Sequence, residues 1–286
     1  MKNNKGRKVF GWSLLLIALG FFCLQMGSLF VQARFDASYI DDRLFYILNM
    51  IIVICLVLSI WLLLKPAKKI TISLTIIFAL FVIANGVLLV NRMEDTKNIL
   101  SVSPNWQHVL SIKQDVQTKE AVYYRSYYGI LARPKERLPY EMDGEYQVEW
   151  LAKDVAAFTY KATDQSIQQF IATYGDRGSG TSYYYVGGQT HGVWQAKDTK
   201  VINDQEGISI THNGETEVFD WDHIEQFGTL AIVLKRNNEA TWTIALKENF
   251  EVHSDASRET VGNIALYKAS LKESEPILLN YQGEKE

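Results

Sequence analysis

Apolar positions along this chain follow two different patterns. Near the amino end they form three runs, at residues 9–30, 45–64 and 70–90, and none of the three contains a charged side chain. A helix needs about 20 apolar residues to cross the hydrocarbon of a bilayer, so each run has the length of a membrane span. Three such runs close together do not fit buried helices of a soluble protein.

Beyond residue 105 the pattern shortens to period two. Tyr, Val, Ile, Thr and Trp come in short stretches separated by turn residues, as in antiparallel strands. Strands are expected at 108–112, 121–131, 146–151, 155–161, 167–174, 181–186 and 193–195, and then at 207–212, 215–219, 230–236, 239–246, 261–269 and 277–281. Asn213-Gly214 is the clearest hairpin signal, because a type I′ turn needs positive φ at both central residues. Asn237-Asn238 carries a similar signal. The two prolines of 133–139 are expected to break the strand before them, and 222–226 to form a helical turn. The resulting fold class is three transmembrane helices followed by a mostly antiparallel β-sandwich or barrel-like part. Its expected divisions are a membrane part at 1–91, a linker at 92–105 and a β-rich part at 106–286, with one further split conceivable near Gly187-Gly188.

Charge sets the expected orientation. Residues 1–90 hold nine Lys and Arg against three Asp, which leaves 20 basic and 29 acidic residues beyond them. Lys2, Lys5, Arg7 and Lys8 precede the first run, and Lys65, Lys68 and Lys69 gather between the second and third. The positive-inside rule then puts the amino terminus in the cytoplasm and the β part outside, in the cell membrane of the host. Val31-Gln32-Ala33 offers small residues at the spacing for signal cleavage after Ala33, but the first run is longer than the ~7–15 residues of a signal core, which favours an uncleaved span. The acidic balance of the β part argues against nucleic-acid binding. Cys23 and Cys55 both lie in apolar runs, so the β part can form neither a disulfide nor a cysteine zinc site.

Each span carries one strong amide: Gln25, Asn49 and Asn85. At 1.5 Å per residue they stand about 24, 22 and 22 Å above the cytoplasmic ends of their spans. Amides at one depth in hydrocarbon are expected to bond across helices as glue for a bundle. No span carries Asp, Glu, Lys, Arg or His, which counts against ion or proton transport.

Chemistry in the β part is sparse. The five histidines, His108, His191, His212, His223 and His253, show no zinc-helix spacing, and no cofactor or metal is expected. Ser179 lacks the glycine two residues earlier that a nucleophile elbow requires, and the neighbours His253, Ser254 and Asp255 cannot form a triad along one strand. Acidic pairs for glycoside cleavage are too numerous to single out. The glycine-rich loop 175–180, with Asp176 and Arg177, can present backbone amides to an anion, but tyrosines follow it rather than a phosphate-loop helix. Tyr123, Tyr124, Tyr127 and Tyr128 cluster in one stretch and Tyr183, Tyr184 and Tyr185 in another. Adjacent strand residues face opposite ways, so some of these rings must be exposed, where they suit a sugar or protein surface.

A few spans followed by a cysteine-free β part outside resembles envelope proteins of bacteria with one membrane, an architectural likeness that assigns no function. The expected role is a non-enzymatic binding or scaffolding protein whose partners are the lipid bilayer and a membrane protein, envelope protein or cell-wall polymer. The alternatives are a carboxylate-based hydrolase of envelope polymer and an accessory subunit of a transporter or sensor.

Overall fold

A computed structural model describes all residues except 1, 65, 179–182, 254–257, 259, 285 and 286. It contains three long apolar helices followed by mostly antiparallel sheets, one of them nearly closed. The chain divides into two compact units, Met1–Leu100 with Ser111–Arg137, and Ser101–Leu110 with Leu138–Glu286.

In the first unit, α1 (Lys2–Phe35), α2 (Arg43–Leu64) and α3 (Lys68–Asp95) are long and apolar enough to cross a membrane. Helix α1 ends where Asp36 turns to φ 53° and its N–H bonds the Gln32 carbonyl. Helices α1 and α2 pack closely. A Cβ on Gly11 would stand 2.8 Å from Leu63, and Ser59 Oγ donates to the Gly11 carbonyl at 2.9 Å. Small residues let helix backbones approach in this way inside a bilayer. Helix α2 buries Leu48, Ile52 and Ser59, which share one face, whereas α3 buries Asn85 and exposes most of its aliphatic side chains.

The same unit holds a sheet of order β1-β5-β4-β3-β2, from β1 (Ser38–Tyr39), β2 (Thr96–Val102), β3 (Val109–Asp115), β4 (Ala121–Tyr128) and β5 (Leu131–Arg137), with the unit boundary falling inside β2 and β3. Two expectations are corrected here. Residues 92–105 are not simply a linker, since they complete α3 and form β2. The proline stretch continues as β5. Past Ala132 that strand has left β1 and pairs with β4 alone, and the register shifts where Pro134 faces Tyr124. A proline needs an edge or a bulge because it has no N–H to give, and this position supplies both.

The second unit pairs a small sheet with a large one. The small sheet is β6 (Met142–Ala152), β7 (Val155–Ala162) and β8 (Ile167–Thr173). The large one comprises β9 (Gly192–Ala196), β10 (Thr199–Asn203), β11 (Ile208–His212), β12 (Glu215–Phe219), β13 (Ile224–Phe227), β14 (Ala231–Arg236), β15 (Glu239–Leu246), β16 (Asn263–Lys268) and β17 (Ile277–Gly283), in the order β12-β11-β10-β9-β17-β16-β15-β14-β13. Its two edge strands, β12 and β13, are consecutive in the chain and joined through a 3₁₀ turn, Trp221–His223.

Period two explains how both faces of the middle strands are buried. Ile232, Leu234, Trp242, Ile244, Ile264 and Leu266 point into the curled sheet with Trp194. Their neighbours Ala231, Val233, Ala245, Ala265 and Tyr267 point out, against Leu151, Val155, Ala157 and Ile171 of the small sheet. Alanines on that outer face leave room for the second layer. Asn213 and Gly214 have φ 51° and 86°, and Asn237 and Asn238 have 52° and 66°, as the hairpin turns demand.

Residues 183–185 are not a strand, and Val186–Gln189 is a helical turn, α4. Strand β10 was not foreseen, because its short polar sequence forms a strand only through pairing on both sides with β9 and β11. Of the turn expected at 222–226, only the first part is helical, and the rest is β13. The chain passes Gly187-Gly188 without leaving the second unit.

Candidate functional site

A dense polar constellation lies in the first unit, where the α1–α2 connection meets the sheet. Strand β3 sends Ser111 and Lys113 to one face by their spacing of two. Ser111 Oγ donates to the Ile40 carbonyl at 3.1 Å. Lys113, only 7% exposed, donates from Nζ to Ser38 Oγ at 3.0 Å, to the Tyr39 carbonyl at 2.7 Å and to Asp42 Oδ1 at 2.6 Å. The Tyr124 ring lies 4.6 Å from that ammonium. Asp42 also accepts from Arg92 Nη2 at 2.8 Å, so one carboxylate ties β3 to the end of α3.

Burial dominates the electrostatics. Desolvation pushes the Lys113 amine below the usual lysine range, opposed by Asp42 and Asp41. Burial would raise the Asp41 carboxyl, but hydrogen bonds from the Arg43 side chain and backbone outweigh it and hold the group below the usual carboxylate range. Burial, with Asp42 and Asp36 nearby, raises the Tyr124 phenol.

A second chain of bonds runs from this connection into the helices. The Tyr39 hydroxyl donates to Gln25 Oε1 at 2.6 Å. Gln25 Nε2 then donates to Asn49 Oδ1 and to the Phe45 carbonyl, each at 3.1 Å. Two of the three intramembrane amides therefore meet. Asn85 is buried, but its Nδ2 donates to the Phe81 carbonyl of its own helix at 3.1 Å.

The other sequence candidates separate. Tyr123 is buried, Tyr124 covers Lys113, and Tyr127 is 55% exposed beneath the Arg133 guanidinium at 4.6 Å. The Tyr128 side chain lies outside what the structure describes. In the second unit Arg177 is a buried clamp rather than a loop-tip cation. It grips Asp154 through two nitrogens and donates to the carbonyls of Lys247 at 2.7 Å and Leu246 at 3.1 Å. Asp176 is exposed and accepts from the Gly178 N–H at 3.0 Å. Tyr183 and Tyr185 are exposed, with ring centroids 5.6 Å apart, and Gln226 Nε2 donates to Tyr183 Oη and the Tyr184 carbonyl, each at 2.9 Å. Ser179, Gly180, Ser254 and Asp255 lie outside the described residues.

Each histidine has a local setting. His108 stacks on Tyr174 at 4.8 Å, His191 lies 2.9 Å from Glu284, and His212 contacts Thr199 at 2.8 Å. His223 sits 4.0 Å from Asp220, and the His253 N–H donates to Gln189. Among the described residues, no three of His, Cys, Asp or Glu are grouped to hold a metal ion.

Sequence reasoning missed Lys113 and Tyr39. A signal was present: a lysine directly after the apolar strand residues Leu110 and Ile112, and an Asp-Asp pair in the connection between two spans. Compared with protein-family models, with curated proteins and with solved structures, the chain has no match.

Proposed function

We propose that this is a non-enzymatic binding or scaffolding protein of the cell membrane, with its amino terminus in the cytoplasm and its β part outside. The observation that carries the reading is the fastening of the first unit. Lys113 holds the α1–α2 connection and, through Asp42, the end of α3, while Tyr39 reaches Gln25 between the helices. Such bonds hold a sheet at a fixed height on its spans, which suits presentation of a surface to a partner. Among the described residues, the two buried carboxylic acids, Asp41 and Asp154, are each held by an arginine, and this weighs toward binding rather than carboxylate hydrolysis. Exposed Tyr183 and Tyr185 supply an aromatic surface for a protein or polymer.

Helix α3 favours a second reading, an accessory subunit. It buries Asn85 and leaves Ile76, Ile77, Leu80 and Ile83 exposed along its length, a surface for another membrane helix as well as for lipid.

Crosslinking in intact membranes followed by capture of the full chain tests both. A specific membrane protein, envelope protein or polymer is expected, and its absence overturns both readings. Orientation is checked by adding protease to intact cells. Cleavage beyond α3 is expected, and protection that disappears only when the membrane is opened reverses the topology.

A further inference from the structure

The first unit contains a cavity of about 240 Å³ lined by Val31, Phe35, Ala37, Tyr127, Leu131 and Arg133. Five of these walls are apolar or aromatic, and the sixth is a guanidinium. It lies 4.6 Å from the Tyr127 ring centre and 5.4 Å from that of Phe35, and its Nε is buried without a hydrogen-bond partner. Strand pairing adds charge, because Arg125 of β4 stands directly opposite Arg133 of β5. A guanidinium whose buried Nε–H has no hydrogen-bond partner, set in an apolar cavity, favours an anion there.

Depth identifies the anion. The first apolar run ends at residue 30. At 1.5 Å per residue, Val31 and Phe35 stand about 1.5 and 7.5 Å beyond the hydrocarbon edge. The headgroup layer on each side of a bilayer is roughly 5–7 Å thick, so the cavity lies at the level of lipid phosphates. Phe30 and Phe35 are 68% and 50% exposed, so the apolar wall continues down the lipid-facing side of α1. The volume is below the ~300–1,000 Å³ of sites that enclose a drug-sized molecule, which suits a headgroup with its chains left outside.

We propose that this cavity is a binding site for one anionic phospholipid, its phosphate on Arg133 and an acyl chain along α1. The proposal uses only the reading of α1 as a span. It is independent of orientation and of any protein partner, so its failure and theirs are distinguishable.

The test uses the full chain in mild detergent, with native mass spectrometry for retained lipid and thermal unfolding for stabilisation. The probes are phosphatidylglycerol, phosphatidylcholine and inorganic phosphate. One phosphatidylglycerol is expected to be retained and to raise the unfolding temperature more than either other probe. Arg133→Gln is expected to weaken retention about tenfold, as for loss of one charge-assisted hydrogen bond. Phe35→Ala, which leaves the strand pair intact, is the second variant and is expected to weaken retention through the apolar wall. Equal retention of phosphatidylcholine overturns recognition of an anion, and equal stabilisation by inorganic phosphate overturns recognition of a lipid. Unchanged retention in both variants overturns the site.

Discussion

Lys113 Nζ stands 2.6 Å from Asp42 Oδ1, and the other oxygen of that carboxylate takes Arg92 at 2.8 Å. The two cations differ in what they contribute. Lys113 is buried, whereas the Arg92 side chain is 46% exposed and faces solvent screening. Lys113→Met is expected to destabilise by about 3 kcal/mol, the low end for a broken buried pair, because Asp42 retains Arg92. Arg92→Gln is expected to cost less than about 1 kcal/mol. Thermal unfolding of both variants in detergent checks the order.

Gln25 bridges Tyr39 and Asn49, whereas Asn85 bonds within its own helix. Gln25→Leu is expected to cost about 1 kcal/mol, a usual value for an interhelical bond in a membrane. Asn85→Leu is expected to cost less. Dissociation of α1 from α2 across a detergent series reads the difference, and a larger effect at Asn85 contradicts the geometry.

The Asp154–Arg177 pair fixes the segment after β8 to the carbonyls of Leu246 and Lys247. Arg177→Gln leaves a buried carboxylate without its cation, with an expected loss of about 3–5 kcal/mol. Limited proteolysis is expected to cut near residues 175–178 first in the variant but not in the parent.

Asp41 supplies a pH signature. Its folded carboxyl lies below the ordinary value of 3.8, so at acid pH the unfolded chain binds more protons than the folded one. Stability from this group is fully present above that ordinary value and is lost as pH falls through the folded one. Unfolding temperatures measured from about pH 5 down to pH 2 are expected to fall more steeply in the parent than in Asp41→Asn. Parallel curves contradict the assignment.

Much of the architecture was legible because its causes are local. The hydrocarbon solvent requires only length and apolarity, which can be read directly from 9–30, 45–64 and 70–90. Asn213-Gly214 and Asn237-Asn238 announce their hairpins because positive φ excludes most other residues. The site was less legible. Four clustered tyrosines could be counted, but only the sheet decides that Tyr124 covers Lys113 and Tyr127 lies under Arg133. The sequence shows Arg177 only as part of a glycine-rich loop, because its partner Asp154 is 23 residues away and its carbonyl partners 69 and 70.

The sequence by itself determined three spans of bilayer length, a period-two remainder, the turns of two hairpins and a basic amino end. Each depends on residues within a few positions of one another. Tertiary structure alone decided the order of the nine-stranded sheet, the bulge that admits Pro134, the burial of Lys113 beside Asp42 and the cavity beneath Arg133. Those features arise from strand register and from contacts between distant segments, where a shift of one residue would turn every side chain to the opposite face.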